Sequence, residues 1–198
     1  MKGVVFTEFL ELVEHRFGLE VVDRIIEESD LGSGGAYTSV GTYDYLELLQ
    51  LVSQLGRIKG MPVSALVRTF GRHLFHRFAI AYPHFWDGIQ SAPEFLSKVQ
   101  GFIHLEVLKL YPDANLPRIE FRELDCDTWE LRYASTRPFA DLASGLIDAC
   151  IRHFGGGITV QRDDLGHQDG TAARFLLQRK PALCRNPSEV AACPTAMF

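Results

Sequence analysis

The chain has 198 residues, of which 46% are hydrophobic and 23% charged, and a net charge of −5. That is an ordinary globular composition, long enough for one domain or one domain with two lobes. The acidic balance excludes the basic face that a nucleic-acid partner needs, and no stretch approaches the ~20 apolar residues of a membrane span. The opening MKGVVFTEFLELVEH has neither the apolar run nor the small-residue cleavage site of a secretion signal, so the expected location is cytoplasmic. Cys126, Cys150, Cys184 and Cys193 are widely spaced and form no CxxC pair, so neither a zinc site nor a disulfide framework is expected. Fourteen phenylalanines are many for this length; they could fill a core or line a cavity for a flat apolar ligand.

The first 111 residues read as helices. Val5, Phe6, Phe9, Leu10, Val13 and Phe17 recur at helical spacing before Gly18, and Val21 to Glu28 forms a short second helix. LGSGG (31–35) is a loop. Tyr43 to Leu55 is amphipathic. Pro62 stands at the first position of a helix whose face is marked by Val63, Leu66, Val67, Phe70, Leu74 and Phe78, and Pro83 ends it. Pro93 opens another helix that runs to Tyr111, before Pro112.

The period then changes. RIEFREL (118–124) and WELRYAS (129–135) alternate around the turn DCDT, which predicts a hairpin. Pro138 starts a helix to about Phe154. GGGITVQRDDL and TAARFLLQRK read as two more strands around GHQDG. The expected class is α+β: a helical N-terminal lobe, then a lobe with a roughly four-stranded antiparallel sheet. One domain is expected over residues 1–180, with residues 181–198 a flexible or docking tail.

Two features carry chemistry. On the 93–111 helix, Leu96, Val99, Ile103, Val107 and Leu110 form an apolar stripe, and His104 lies about 80° off its centre at ~100° per residue. Such a histidine is either a core residue bonded to a carbonyl or an axial ligand to iron. In the strand LRYASTRP, Tyr133, Ser135 and Arg137 would share one face by the two-residue period. A row of phenol, hydroxyl and guanidinium suits a buried anion such as the propionates of haem, or else is a solvent-facing strand edge.

Taken together, these residues resemble the haem nitric oxide/oxygen-binding (H-NOX) family, related to the haem domain of soluble guanylate cyclase. Family members open with MKG, as this chain does. They carry a histidine in a helix, then a proline, then a YxSxR strand, here His104, Pro117 thirteen residues on and Tyr133 twenty-nine residues on. The resemblance runs from Met1 to about Lys180. It implies haem b between the lobes, with His104 as the iron ligand. Pro117 would press on the porphyrin, and Tyr133, Ser135 and Arg137 would hold the propionates. Val5, Phe9, Leu74, Phe78 and Leu142 match positions that line the gas-binding side. Oxygen-binding members place a tyrosine where Leu142 stands, and no tyrosine follows Tyr133 here. The resemblance therefore implies a sensor of nitric oxide, also taking CO, that signals by release of the His104–iron bond. The expected partner is a histidine kinase of a two-component system or a cyclic-di-GMP enzyme. No nucleophile–base pair or phosphate loop suggests an enzyme. The other readings are an oxygen-binding haem protein and a metal-binding module built on His73, His76 and His84.

Overall fold

The computed structural model describes residues 1–166 and 169–180. The tail, with Cys184 and Cys193, and His167 and Gln168 of the expected GHQDG turn lie outside the described residues. Among the described residues, seven α-helices and four strands follow in the order α1 (Gly3–Phe17), α2 (Leu19–Glu27), α3 (Tyr45–Lys59), α4 (Val63–Ala81), α5 (Ala92–Lys98), α6 (His104–Leu110), β1 (Arg118–Asp125), β2 (Thr128–Ala134), α7 (Ala140–His153), β3 (Ile158–Asp164) and β4 (Ala172–Arg179). The class is α+β, as the change of period predicts. The sheet is antiparallel in the order β1-β2-β4-β3.

The helix limits follow from local chemistry. Helix α3 runs past Leu55 and through Gly56, and stops where Gly60 turns left-handed at φ 64. Pro62 is not the first helical residue: its ψ of 136 keeps it extended, and it caps α4 from outside. The start of α1 is set by a close approach. A Cβ on Gly3 would stand 1.8 Å from the Thr38 carbonyl oxygen. With only hydrogen there, Gly3 and Val4 donate to the carbonyls of Gly41 and Ser39. The first two residues are thereby stitched to the 38–43 segment.

Two hydrophobic cores meet at α4. Phe6, Phe9, Val13, Leu51 and Phe70 belong to the helical one. The other joins Leu131, Phe175 and Leu177 of the sheet to Ile147 and Cys150 of α7. It also takes Phe75 of α4 and Ala92, Phe95 and Leu96 of α5. The lobe boundary is therefore not at residue 111, as the run of helices suggests. Helix α5 packs with the sheet. Helices α4 and α7 cross in backbone contact at Gly71 and Gly145: a Cβ on the first would meet the Leu142 carbonyl at 2.3 Å, and on the second the Arg68 carbonyl at 2.0 Å.

Candidate functional site

Between the two cores lies a cavity of about 340 Å³, within the usual range for small-molecule sites. Its proximal wall is the helix from Ala92 to Leu110. Ser91 opens this helix with a capping box: its hydroxyl accepts from the Glu94 N–H, and the Glu94 carboxylate accepts from the Gln90 N–H. A π-turn at Val99–Ile103 separates α5 from α6, so that the His104 N–H reaches the carbonyl of Val99. The extra residue per turn changes the wheel. Leu96, Val99, Ile103, Val107, Leu110 and His104 all line the cavity, with no angular gap between the stripe and the histidine. Turns of this kind recur at functional sites.

The His104 ring is mostly buried, and its Nδ1 is buried with no hydrogen-bond partner. Burial also lowers its pKa below the ordinary histidine value, so the ring is neutral at neutral pH. This is not the core histidine bonded to a carbonyl. A neutral imidazole facing an apolar cavity is a ready metal ligand. Among the described residues, no group of three or more His, Cys, Asp or Glu could hold a bare ion. A single protein donor fits a metal whose other ligands come with it, as in a metalloporphyrin. Of the alternative histidine set, His73 points Nε2 at the buried Glu8 carboxylate, 3.1 Å away, where Arg77 also binds at 2.7 Å. That cluster ties α1 to α4.

One edge of the cavity is polar and positive. Tyr133, Ser135 and Arg137 all line it, but not as one strand face. Strand β2 ends at Ala134; Ser135 N–H makes one further bond to the Thr171 carbonyl, and the chain then turns. The Ser135 hydroxyl accepts from the Arg137 N–H at 3.1 Å, an ST-turn that replaces the strand period and swings the guanidinium to the cavity. Among the described residues Arg137 makes no ion pair; its guanidinium lies 5.5 Å from the centre of the Tyr45 ring. The Met1 amino group is nearby, and its pKa is lowered first by burial and then by Arg137. Burial likewise raises the Tyr133 phenol, which stays protonated as a neutral donor. A guanidinium, a phenol and an amino group at one rim, with no Asp or Glu among the residues that line the cavity, suit an anionic ligand.

Pro117 lines the cavity just before β1, in a loop anchored from across the rim. Lys2 pairs with Asp113 at 3.2 Å, and Thr42 donates to the same carboxylate at 2.9 Å. The remaining wall is apolar: Val5, Leu74, Phe78 and Leu142 line it, joined by Leu146. Phe9 is the exception. A full turn further along α1, it is buried in the helical core and meets the Phe70 ring edge-on at 5.3 Å. It supports the wall and does not form it. Beside Leu142, Asp141 and Ser144 both bind Arg162 of β3, at 2.6 and 3.1 Å. Neither is among the residues that line the cavity.

Sequence reasoning passed over Tyr82, Trp86, Phe95 and Tyr111, which also line the site. Tyr82 caps α4, and burial followed by its contact with Tyr111 raises its pKa. Trp86 stacks on Phe95 with ring centres 4.2 Å apart. The aromatic clustering of residues 75–95 was the available signal.

An apolar slot between two lobes, with one buried imidazole and one cationic edge, defines a haem-pocket protein. The family model described as Haem-NO-binding matches residues 2–162, and the chain belongs to that family of haem-binding gas sensors. Solved structures agree. The H-NOX protein from K. algicida in the unliganded Fe(II) state is 35% identical, with a TM-score of 0.87 over 94% of this chain and 100% of that one. The H-NOX from Shewanella woodyi, in the Fe(II)CO state with IWP-051 bound, is 41% identical, with a TM-score of 0.79 over 94% and 98%. An H-NOX protein from S. oneidensis in the Fe(II)NO state is 26% identical, with a TM-score of 0.83 over 91% and 100%. No curated protein matches the chain.

Proposed function

We propose that this protein is a nitric-oxide sensor that binds haem b through His104 and reports gas binding to a separate signalling protein. The observation that carries this reading is the His104 imidazole: buried, neutral, unpartnered at Nδ1 and turned to an apolar cavity. Haem bound there would supply a ferrous iron able to take a diatomic gas, NO or CO. The chain's residues do the rest. Arg137, Tyr133 and Ser135 hold and orient the carboxylate edge. Pro117 and Leu116 close the proximal side beside α6. Val5, Leu74, Phe78, Leu142 and Leu146 keep water from the gas-binding face.

Selectivity for NO over oxygen rests on that last set. Bound dioxygen gains from a hydrogen-bond donor, and NO needs one much less. Leu142 and Leu74 offer none. Of the other donors in the lining, the Tyr82 hydroxyl lies against Tyr111, and the Trp86 indole, its ring flat on Phe95, keeps a buried N–H without a partner. An oxygen-binding protein built on this site would have no donor at Leu142 or Leu74.

Signalling follows from what His104 ties together. Held, it pins α6 to the cavity. Released, α6 keeps only its own packing, and none of its residues is fully buried. The two positions of α6 form a two-state element that a ligand can bias. A histidine kinase or a cyclic-di-GMP enzyme in the cytoplasm is the proposed reader, and the protein itself is not an enzyme. The test uses His104→Gly with imidazole supplied as a loose ligand. Regulation of the partner should become independent of NO; regulation still responsive to NO with α6 detached throughout would refute release of His104 as the signal.

A further inference from the structure

A metal-binding histidine is ordinarily oriented through its second ring nitrogen, which donates to a carboxylate or a carbonyl. His104 has no such partner: Nδ1 is buried and unpaired. Something else must aim the ring. The described surroundings leave the backbone end of the side chain, where the π-turn of Val99–Ile103 ends at His104 itself. That turn contains Gln100, whose side-chain oxygen accepts from the Ile119 N–H at 2.8 Å.

The bond is well placed for the task. Strand β1 is a sheet edge, so an outward N–H on it has no strand to pair with and needs an acceptor from elsewhere. Ile119 is paired in register with Tyr133, and both line the cavity. Gln100 therefore links the segment that presents His104 to the strand pair that presents Tyr133. Pro117 stands two residues before the anchored amide. Helix geometry alone does not favour a π-turn, and a bond from within it to the sheet is a reason for it to persist.

We propose that Gln100 is a positioning residue for His104, aiming the imidazole through the π-turn by its hydrogen bond to Ile119. This rests on the haem-binding reading above and goes beyond it, since it assigns to a glutamine on the helix the orienting task usually done at Nδ1. Gln100 is not among the residues that line the cavity, so it acts through His104.

The test compares the full haem-loaded chain with Gln100→Met, which removes the acceptor at similar length, Gln100→Asn, which is too short to reach, and Gln100→Glu, which keeps an acceptor. Three quantities are read: exchange of the Ile119 amide, the iron–imidazole stretching band in the Raman spectrum of the reduced protein, and the rate of haem transfer to an acceptor apoprotein. Loss of one hydrogen bond corresponds to a roughly 3- to 10-fold change in an equilibrium. The Met and Asn variants should show faster Ile119 exchange and faster haem loss by about that factor, with a shifted or broadened band. The Glu variant should return all three towards wild type. If the Ile119 amide is freed while the band and haem loss stay unchanged, the bond only finishes a sheet edge and the proposal is overturned. Wild-type protein that takes up no haem would instead overturn the haem-binding reading, and would be seen before any variant is made.

Discussion

Replacing Gly145 with alanine sets two effects against each other at the crossing that joins the lobes. In a helix interior, alanine is favoured over glycine by about 1 kcal/mol. At this position the added Cβ would lie 2.0 Å from the Arg68 carbonyl oxygen and 2.9 Å from the Gly71 Cα. Both neighbours are backbone, so no side chain can swing aside. Helices α4 and α7 must part by about an ångström to restore van der Waals distance. Forced overpacking costs roughly 1–3 kcal/mol, and a 2.0 Å approach to backbone that cannot swing aside belongs at the upper end, which outweighs the propensity gain. The upper end of that range less the propensity gain leaves a net cost of about 2 kcal/mol, and at about 2–4 °C per kcal/mol for a chain of this size the melting temperature should fall by roughly 4–8 °C. Thermal melting followed by circular dichroism on the full chain reads it directly. Leu142 and Leu146 flank Gly145 on α7 and line the cavity, so the variant should also loosen the gas-binding wall. A melting temperature equal to or above wild type would mean that the two helices are not in contact at this point, and the account of the lobe junction would fail.

Other expectations follow from single groups. Arg137→Ala should weaken haem retention roughly 10- to 100-fold, the value of charge-assisted hydrogen bonds to a carboxylate, measured as the haem dissociation rate; unchanged retention would remove Arg137 from the site. Burial depresses the His104 pKa below its ordinary 6.5, so in haem-free protein the unfolded chain binds the proton more readily. The stability from this group is complete above about pH 6.5 and is lost as pH falls through the lower folded value. His104→Leu should flatten that part of the stability profile in urea titrations, and an unaltered profile would refute it. Leu142→Tyr places a phenol on the gas-facing wall and should yield a longer-lived oxygen complex; air oxidation as fast as in wild type would count against the polarity argument.

Much of this site was legible because it depends on residue type and order. His104, Pro117 and the Tyr133–Arg137 segment stand in sequence where the folded chain brings them to one cavity. What the sequence concealed was local geometry. A constant 100° per residue cannot register a π-turn, so His104 read as lying beside the apolar stripe and not within it. Strict alternation carries one face through Arg137, whereas the strand ends at Ala134 and the Ser135 hydroxyl turns the chain by accepting from the Arg137 N–H. Phe9 and Val5 share a helix face, and only the depth of α1 in the helical core separates the wall from its support. The Gln100–Ile119 bond joins a helix to a sheet edge, and no periodicity announces it. The polar rim includes the Met1 amino group, whose position depends on Gly3 meeting Thr38.

The central claim is a haem pocket selective for nitric oxide, and the absorption spectrum of the haem-loaded protein tests it most directly. The spectrum is taken reduced under nitrogen, then in air, then with NO. The account predicts a five-coordinate ferrous form, no stable oxygen complex, and conversion by NO to a five-coordinate form without His104. A stable oxygen complex would contradict the apolar-wall argument, and failure to hold haem at all would contradict the roles of His104 and Arg137 together.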